Sequence, residues 1–406
     1  MLFQSIIGQK EIKAQLAHMI QYNRLSHALL FLGKEGSGAL PLAIAFANYL
    51  CLPKNAAPKK KEAGLFGDES EDVVAIASPT TPAEIDEWMQ KQTAWSKLKD
   101  MVHPDIHFSY PVVPRKPGDK PISTDYIKEW REFIAANPYG NVYDWLQFIG
   151  AENKQGNITA HECLDIIRKM SLKSFESEYK ILIIWMPELL GKEGNKLLKL
   201  IEEPPPNTLF ILVAENDSLI LPTILSRTQL IKIPQLSTLE IEAALELRNG
   251  ISMQKAQQVA AVSAGNYHEA LQQLQHAEVD WEVLLRDWLN SIVKTGPAAQ
   301  VKWIEEISKI GREKQKQFLK YFVHILELAI RLRVIPVEGE TENRADVDFA
   351  LRFNKLCGIS QQEAIVHELD QAAYYIERNA NAKILFHALT IKLYHIISNK
   401  SVILMQ

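Results

Sequence analysis

The stretch Gly33-Lys-Glu-Gly-Ser-Gly-Ala-Leu40 spaces its glycines as a phosphate-binding loop does. In such a loop the glycines let backbone N–H groups wrap the phosphates, a Lys reaches the β and γ oxygens, and a Ser or Thr hydroxyl holds magnesium. Gly33, Gly36 and Gly38 are in place, but Ala39 stands where the Lys belongs and Leu40 where the hydroxyl belongs. One charge and one metal ligand are missing together. Lys34 cannot substitute, because it sits at the entrance of the loop. Read by itself, the octapeptide is either a nucleotide site without ATP chemistry or a glycine turn that joins a strand to a helix.

ATPases of this kind also carry a hydrophobic strand that ends in Asp, often followed by Glu, which orients magnesium and the attacking water. The matching run here, Ile181-Leu-Ile-Ile-Trp-Met-Pro187, ends without either carboxylate. Glu188 lies beyond the proline, placed to open the next helix, where an acid favours the dipole. Losses at both magnesium elements favour a degenerate site over a misread motif. Ser226-Arg227 is the remaining candidate for phosphoryl chemistry. A planar guanidinium can stabilise charge on a transferring phosphoryl group, and the same residue can equally be a surface or helix-capping arginine. Cys163 has His161 close in sequence but no partner pattern for nucleophilic catalysis, and it reads as a core cysteine. Trp281, Trp288 and Trp303 recur at helix-compatible spacings, which suits a bundle core better than base stacking.

These candidates need elements to position them. An apolar run at His27–Leu32, the glycine loop and an Ala/Leu-rich stretch to Leu50 read as strand, loop and helix. Further β-type runs at Ile106–Val113, Lys180–Trp185, Thr208–Ala214 and Leu230–Ile233 are separated by helical segments, which predicts buried parallel strands with crossover helices. Residues 53–80, with Lys59-Lys-Lys61 followed by Asp68, Glu69, Glu71 and Asp72, read as a solvated insertion. It ends at Thr81-Pro-Ala-Glu84, an N-cap, a first-turn proline and a capping-box acid that open a helix to about Asp100. Beyond Pro234 the strand signals vanish, and amphipathic helices punctuated by Gly250, Gly265, Gly296 and a loop at 336–342 predict an all-α C-terminal half.

Length and composition set the bounds. At ~150 residues per domain, the 406 residues suffice for two to three domains. With 47% hydrophobic and 23% charged residues, the chain is expected to be folded and soluble. Lys+Arg 45 against Asp+Glu 49 gives a net charge of -4, which argues against coating nucleic acid through overall charge but leaves room for a local basic patch. Cys51, Cys163 and Cys357 are too widely spaced for a disulfide framework or a zinc tetrad, and they suit a reducing cytoplasm. The N-terminus lacks a secretory pattern and no window reaches ~18 uninterrupted apolar residues, so neither export nor membrane spanning is expected.

Several stretches together resemble the clamp-loader family of the AAA+ ATPases. Phe3-Gln-Ser-Ile-Ile-Gly-Gln9 with Arg24-Leu-Ser-His-Ala28 resembles the family's N-terminal "IIGQ … LSHA" segment. Asn195-Lys-Leu-Leu-Lys-Leu-Ile-Glu-Glu-Pro-Pro205 resembles its "NALLKxLEEPP" helix and turn. Leu209–Asp217 resembles the strand that follows, and Leu221-Pro-Thr-Ile-Leu-Ser-Arg227 resembles "LLPTILSRC", with Thr228 in place of the Cys. His103-Pro-Asp-Ile-His107 resembles the "HPD" that leads into the second core strand. The matches lie within residues 1–233, and the C-terminal half is similar mainly in being helical. Two departures stand out. The family's four-cysteine zinc module has only Cys51 near its place, so His103 and His107 read as residues leading into a strand and no zinc is expected. Gly265-Asn-Tyr-His-Glu-Ala-Leu271 resembles a motif whose Arg contacts bound nucleotide, and here that position is His268.

The resemblance implies an AAA+-type α/β core with a parallel sheet at 1–235, carrying the insertion at about 53–80. A small helical lid at 236–275 and an all-α collar or oligomerisation domain at 276–406 would follow. It implies a subunit that does not hydrolyse ATP, in a cytoplasmic hetero-oligomeric ring with gamma/tau-type ATPase and delta-type subunits. That ring would load the sliding clamp onto primed DNA in bacterial replication. In that role Arg227, supported by Ser226, would be an arginine finger offered in trans to a neighbour's ATP, while Gly33, Gly36, Gly38, Ala39 and Leu40 would bind no cofactor. Two alternatives stay open: an active gamma-type ATPase, opposed by the missing Lys and hydroxyl, and a free-standing adaptor that uses the core only for protein contacts.

Overall fold

The computed structural model describes residues 1–22, 24–52, 81–152, 154–275, 281–334, 344–378 and 380–398. The insertion at 53–80 and the loop at 336–342 lie outside them. Five strands, β1 (Ala28–Gly33), β2 (Ile106–Ser109), β3 (Lys180–Trp185), β4 (Thr208–Ala214) and β5 (Gln229–Ile233), form one parallel sheet in the order β2-β3-β4-β1-β5. β1 lies between β4 and β5, with Ala28 opposite Phe210 and Gly33 opposite Ile233. The glycine loop therefore leaves the carboxyl edge of a central strand, where open α/β sheets bind ligands.

Successive side chains on a strand point to opposite faces, and both faces here are apolar. Leu29, Phe31, Ile181, Ile183, Trp185, Leu209, Ile211 and Val213 pack into one core, against the helix Ala39–Cys51 and the helices Ile127–Ala136 and Val142–Phe148. Their neighbours Leu30, Leu182, Ile184, Phe210 and Leu212 pack into the other, against the helix Ala160–Met170 and the helical turns of Pro187–Glu202. Contact density divides the chain into two units, Met1–Gly250 with Ser263–Leu271 and Ile251–Val262 with Gln272–Gln406. In the second unit every described element is a helix. Trp288 and Trp303 stack there with centroids 4.6 Å apart, and the Trp288 indole N–H donates to Thr390 Oγ1 at 3.0 Å. These tryptophans are core residues.

Two boundaries differ from the sequence reading. β2 stops at Ser109 instead of Val113, because Pro111 and Pro114 carry no N–H to continue a ladder, and Val112 makes only an isolated antiparallel bridge to Asn157. The helix opened by Thr81 has the expected capping box, with Glu84 N–H donating to Thr81 Oγ1 at 3.3 Å, but it ends at Gln90. A separate helix follows at Trp95–Lys99. Between them the Gln92 N–H bonds to the Met89 carbonyl and the Trp95 N–H to the Gln92 carbonyl, a three-residue pattern that tightens the chain out of α-geometry.

Trp185, at the end of β3, is buried with its ring 5.2 Å from that of Trp130, which itself stacks on Tyr110 at 4.0 Å. An aromatic core fills the strand end where an ATPase carries a carboxylate. Trp185→Asp is accordingly expected to lower unfolding stability by at least ~3 kcal/mol, through loss of ring burial plus an unpaired charge, and to create no magnesium site. Urea unfolding of the variant with and without magnesium checks both parts.

Candidate functional site

The loop after β1 keeps the backbone shape of a phosphate cradle. Gly36 and Gly38 have φ of 73° and 87°, the left-handed region that glycine enters freely. Gly38 caps the helix Ala39–Cys51, whose residues are all buried, so Ala39 and Leu40 face packed protein. Gln9, the last residue of the N-terminal motif, clamps the loop from behind: its Nε2 donates to the Ser37 carbonyl at 3.1 Å and to the Pro234 carbonyl, beyond β5, at 2.6 Å. In front, a Cβ at Gly36 would lie 1.9 Å from Asn266 Oδ1. Only a glycine there lets the 263–271 segment rest on the loop. The space that remains, lined by Gly33–Pro41 together with Tyr139, Gly140, Trp185 and Glu215, is about 30 Å³. That is room for about one water molecule in contact with the loop.

A buried charge cluster closes the loop. His268 Nδ1 lies 2.9 Å from Glu35 Oε1 and its Nε2 lies 2.6 Å from Asp144 Oδ2. Carboxylate oxygens only accept, so both ring nitrogens carry protons and the imidazole is an imidazolium. Burial alone would discharge it, but the hydrogen bonds and charges of Asp144 and Glu35 outweigh that and push its pKa up to about 10. Asn266 Nδ2 and Asn141 Nδ2 also donate to the two oxygens of Glu35, at 3.1 and 3.3 Å. Glu35 thus ties two parts of the unit to the loop: the 263–271 segment, and the helix Val142–Phe148 through its Asn141 cap. Beside the loop, Glu188 accepts the backbone N–H groups of Glu215 and Asn216 on one oxygen, at 2.7 and 2.9 Å, and burial raises its pKa. It fixes the turn after β4, which is more than the helix-opening acid that the sequence suggests.

Arg227 and Ser226 lie on the same unit. Pro222 starts the helical turn Pro222–Leu225, and Arg227 follows it immediately before β5. Its guanidinium, 34% exposed, pairs with Glu202 of the Glu-Glu-Pro-Pro motif. Nη1 donates to the Thr223 carbonyl at 2.7 Å and to Ser226 Oγ at 3.1 Å.

The other sulfur and imidazole candidates take structural places. Burial pushes the Cys51 thiol up to about 12 and those of Cys163 and Cys357 to about 11, which keeps all three protonated. His103 Nδ1 accepts the Asp105 N–H at 3.2 Å, and Asp105 in turn accepts the N–H groups of Phe175, Glu176 and Ser177 at 2.6–2.8 Å. The His-Pro-Asp motif therefore pins the loop that feeds β3. Burial drives His107 down to about 4. Among the described residues no cluster of His, Cys, Asp and Glu could hold a metal ion. Sequence reasoning did not single out Glu35, Asn141, Asp144 or Asn266. The Asn141-Val-Tyr-Asp144 capping box was the available signal, but its link to the loop is tertiary.

The sheet order, the glycine loop after β1 and the helical C-terminal region define an AAA+-type α/β fold followed by helices. The chain belongs to the family described as DNA polymerase III, delta subunit, whose model matches residues 8–237. It is similar to DNA polymerase III subunit delta' of Bacillus subtilis, 24% identical over 239 residues, which is 58% of this chain and 51% of that protein. The match spans about half the length of that relative. A gamma subunit-related protein of DNA polymerase III from Thermotoga maritima is similar over 93% of this chain and 98% of its own, at 13% identity and a TM-score of 0.35. The Bacillus subtilis DNA clamp loader delta protein is similar over 74% of this chain and 98% of its own, at 14% identity and a TM-score of 0.24. Among the described residues no helix is long and apolar enough to cross a membrane.

The closure of the loop has a pH signature. His268 titrates near 6.5 when unfolded and at about 10 when folded, so its contribution to stability is full below pH 6.5 and declines as pH rises towards 10. His268→Gln removes the charge and leaves two carboxylates facing each other, a loss of the order of 3–5 kcal/mol at neutral pH. Urea unfolding of both chains from pH 6.5 to 10 is expected to show the gap between them narrowing steadily.

Proposed function

We propose that this chain is a delta-prime-type, non-hydrolysing subunit of a DNA polymerase III clamp loader, working in the cytoplasm. In this reading the AAA+-type core spans 1–235, the helical lid 236–275 and the helical collar 276–406. The core would act as a fixed wall beside gamma/tau-type ATPase and delta-type subunits, in a ring that loads the sliding clamp onto primed DNA. The observation that carries the reading is the phosphate loop filled from within. Glu35 and His268 meet over it, about 30 Å³ remains, and Ala39, Leu40 and Trp185 stand where Lys, hydroxyl and carboxylate are needed. These residues do not fit magnesium–ATP, and no step is assigned to a nucleotide held by this chain. What the chain retains is a surface cation, Arg227, which would reach the γ-phosphate of ATP held by a neighbour and stabilise charge there as the phosphoryl group transfers.

Two measurements test this. Calorimetric titration of the purified chain with magnesium–ATP is expected to give no binding at micromolar concentrations, and a micromolar, magnesium-dependent Kd would restore the gamma-type alternative. In a loader reconstituted with clamp and primed DNA, Arg227→Ala is expected to leave ring assembly intact and slow ATP hydrolysis by the partner. The defect should be well below the ~10³–10⁵ attributed to arginine fingers in small GTPases, because a ring with several sites averages one lost finger. Arg227→Lys should rescue little, since an ammonium lacks the planar fork. Unchanged hydrolysis would leave Arg227 a surface arginine.

A further inference from the structure

The two most specific sequence motifs, Glu202-Glu-Pro-Pro205 and Ile224-Leu-Ser-Arg227, are joined in space by one side-chain pair. Glu202 ends the helix Leu198–Glu202, and Glu203 leaves it with a non-helical backbone (φ −125°, ψ 68°), outside the α region that a following proline disfavours. The turn Pro222–Leu225 brings Arg227 against that helix end. Arg227 Nε donates to Glu202 Oε1 at 2.6 Å, and Nη2 pairs with the same oxygen. Nη1 is held by the Thr223 carbonyl and by Ser226 Oγ, and Ser226 Oγ in turn donates to the Thr223 carbonyl at 3.2 Å. Of the five guanidinium N–H groups, one on Nη2 has no partner among these contacts.

We infer that Glu202 is a positioning residue for Arg227: its carboxylate fixes the plane of the guanidinium and leaves an edge free for phosphoryl oxygens on a neighbouring subunit. The inference rests on the arginine-finger reading above. An unpaired arginine samples many rotamers and must be ordered at each encounter, which costs side-chain entropy. Here the Nε edge is held by Glu202, Nη1 by the Thr223 carbonyl four residues earlier in the chain, and the cation waits partly exposed and already oriented. The pair also gives the Glu-Glu-Pro-Pro motif a task beyond ending a helix. Its first Glu carries the contact, while the prolines stop the helix at the residue that must face Arg227.

The test uses the complete loader with clamp and primed DNA, and compares ATP hydrolysis for wild type, Glu202→Ala, Glu202→Gln, Arg227→Ala and the Glu202→Ala/Arg227→Ala double variant. Glu202→Ala is expected to lower kcat roughly 2- to 5-fold, the size of an exposed ion pair, with KM for ATP unchanged. Glu202→Gln should recover part of that loss, because the amide oxygen still accepts from Nε. The double variant should be no slower than Arg227→Ala alone, since Glu202 acts only through the arginine. A rate for Glu202→Ala equal to or above wild type would overturn the inference, as would losses that multiply in the double variant. If Glu202→Ala assembles poorly, Glu202→Gln carries the same comparison. An inert Arg227→Ala brings down the finger reading and this inference with it, whereas a slow Arg227→Ala beside an unaffected Glu202→Ala brings down this inference alone.

Discussion

An imidazolium held between two carboxylates, His268 between Glu35 and Asp144, is the interaction on which the arrangement of the first unit depends. In a nucleotide-binding relative of this fold, the loop, the following helix N-terminus and the lid are held together by the phosphates they share. Here the protein supplies both signs of charge itself. Glu35 brings the anion to the loop, His268 brings the cation from the 263–271 segment, and Asp144 ties both to the helix Val142–Phe148. Buried pairs of this kind are weak evidence for net stability, because desolvation opposes the attraction. Their value here lies in specifying one arrangement: Gly36 without a Cβ, Asn266 on top of it, and a cavity of about 30 Å³ beneath.

The fold was largely legible in the sequence, and the closure of the site was not. Apolar runs located all five strands: β1, β3 and β4 are buried on both faces and have no polar alternation to blur them, while the edge strand β5 sets buried Ile231 and Ile233 beside exposed neighbours. The errors fell where local geometry decides: β2 stops short at prolines, and the helix after Thr81 breaks at Lys91–Ala94 on hydrogen bonds that periodicity does not encode. At the site, deletions could be read directly, because Ala39, Leu40 and Trp185 occupy positions whose chemistry is known. Additions could not. Glu35, Asp144 and His268 are separated by more than a hundred residues at each step, and nothing in their local context says that they meet. His268 was noticed only as a missing arginine, whereas the structure gives it a positive charge again, directed inward at the protein's own carboxylates.

The same division runs through the rest of the unit. Where an ATPase places charge, this chain places packed apolar groups: the helix after the loop is buried all round, and β3 ends in a tryptophan within an aromatic cluster. Gln9 and Glu188 use their side chains to fix backbone around the loop and the turn after β4. Arg227, partly exposed and anchored by Glu202, is a cation that the motif region keeps at the surface. A core made rigid by internal partners, with Arg227 anchored at its surface, is what the proposed role beside a neighbour's ATP requires.

Amide hydrogen exchange over residues 33–40 of the wild-type chain, with and without magnesium–ATP, tests this account most directly. Closure from within predicts that the loop is already protected in the absence of nucleotide and that millimolar magnesium–ATP leaves its exchange unchanged. A loop that exchanges freely alone and becomes protected on adding magnesium–ATP would contradict it, because the site would then be an open nucleotide pocket.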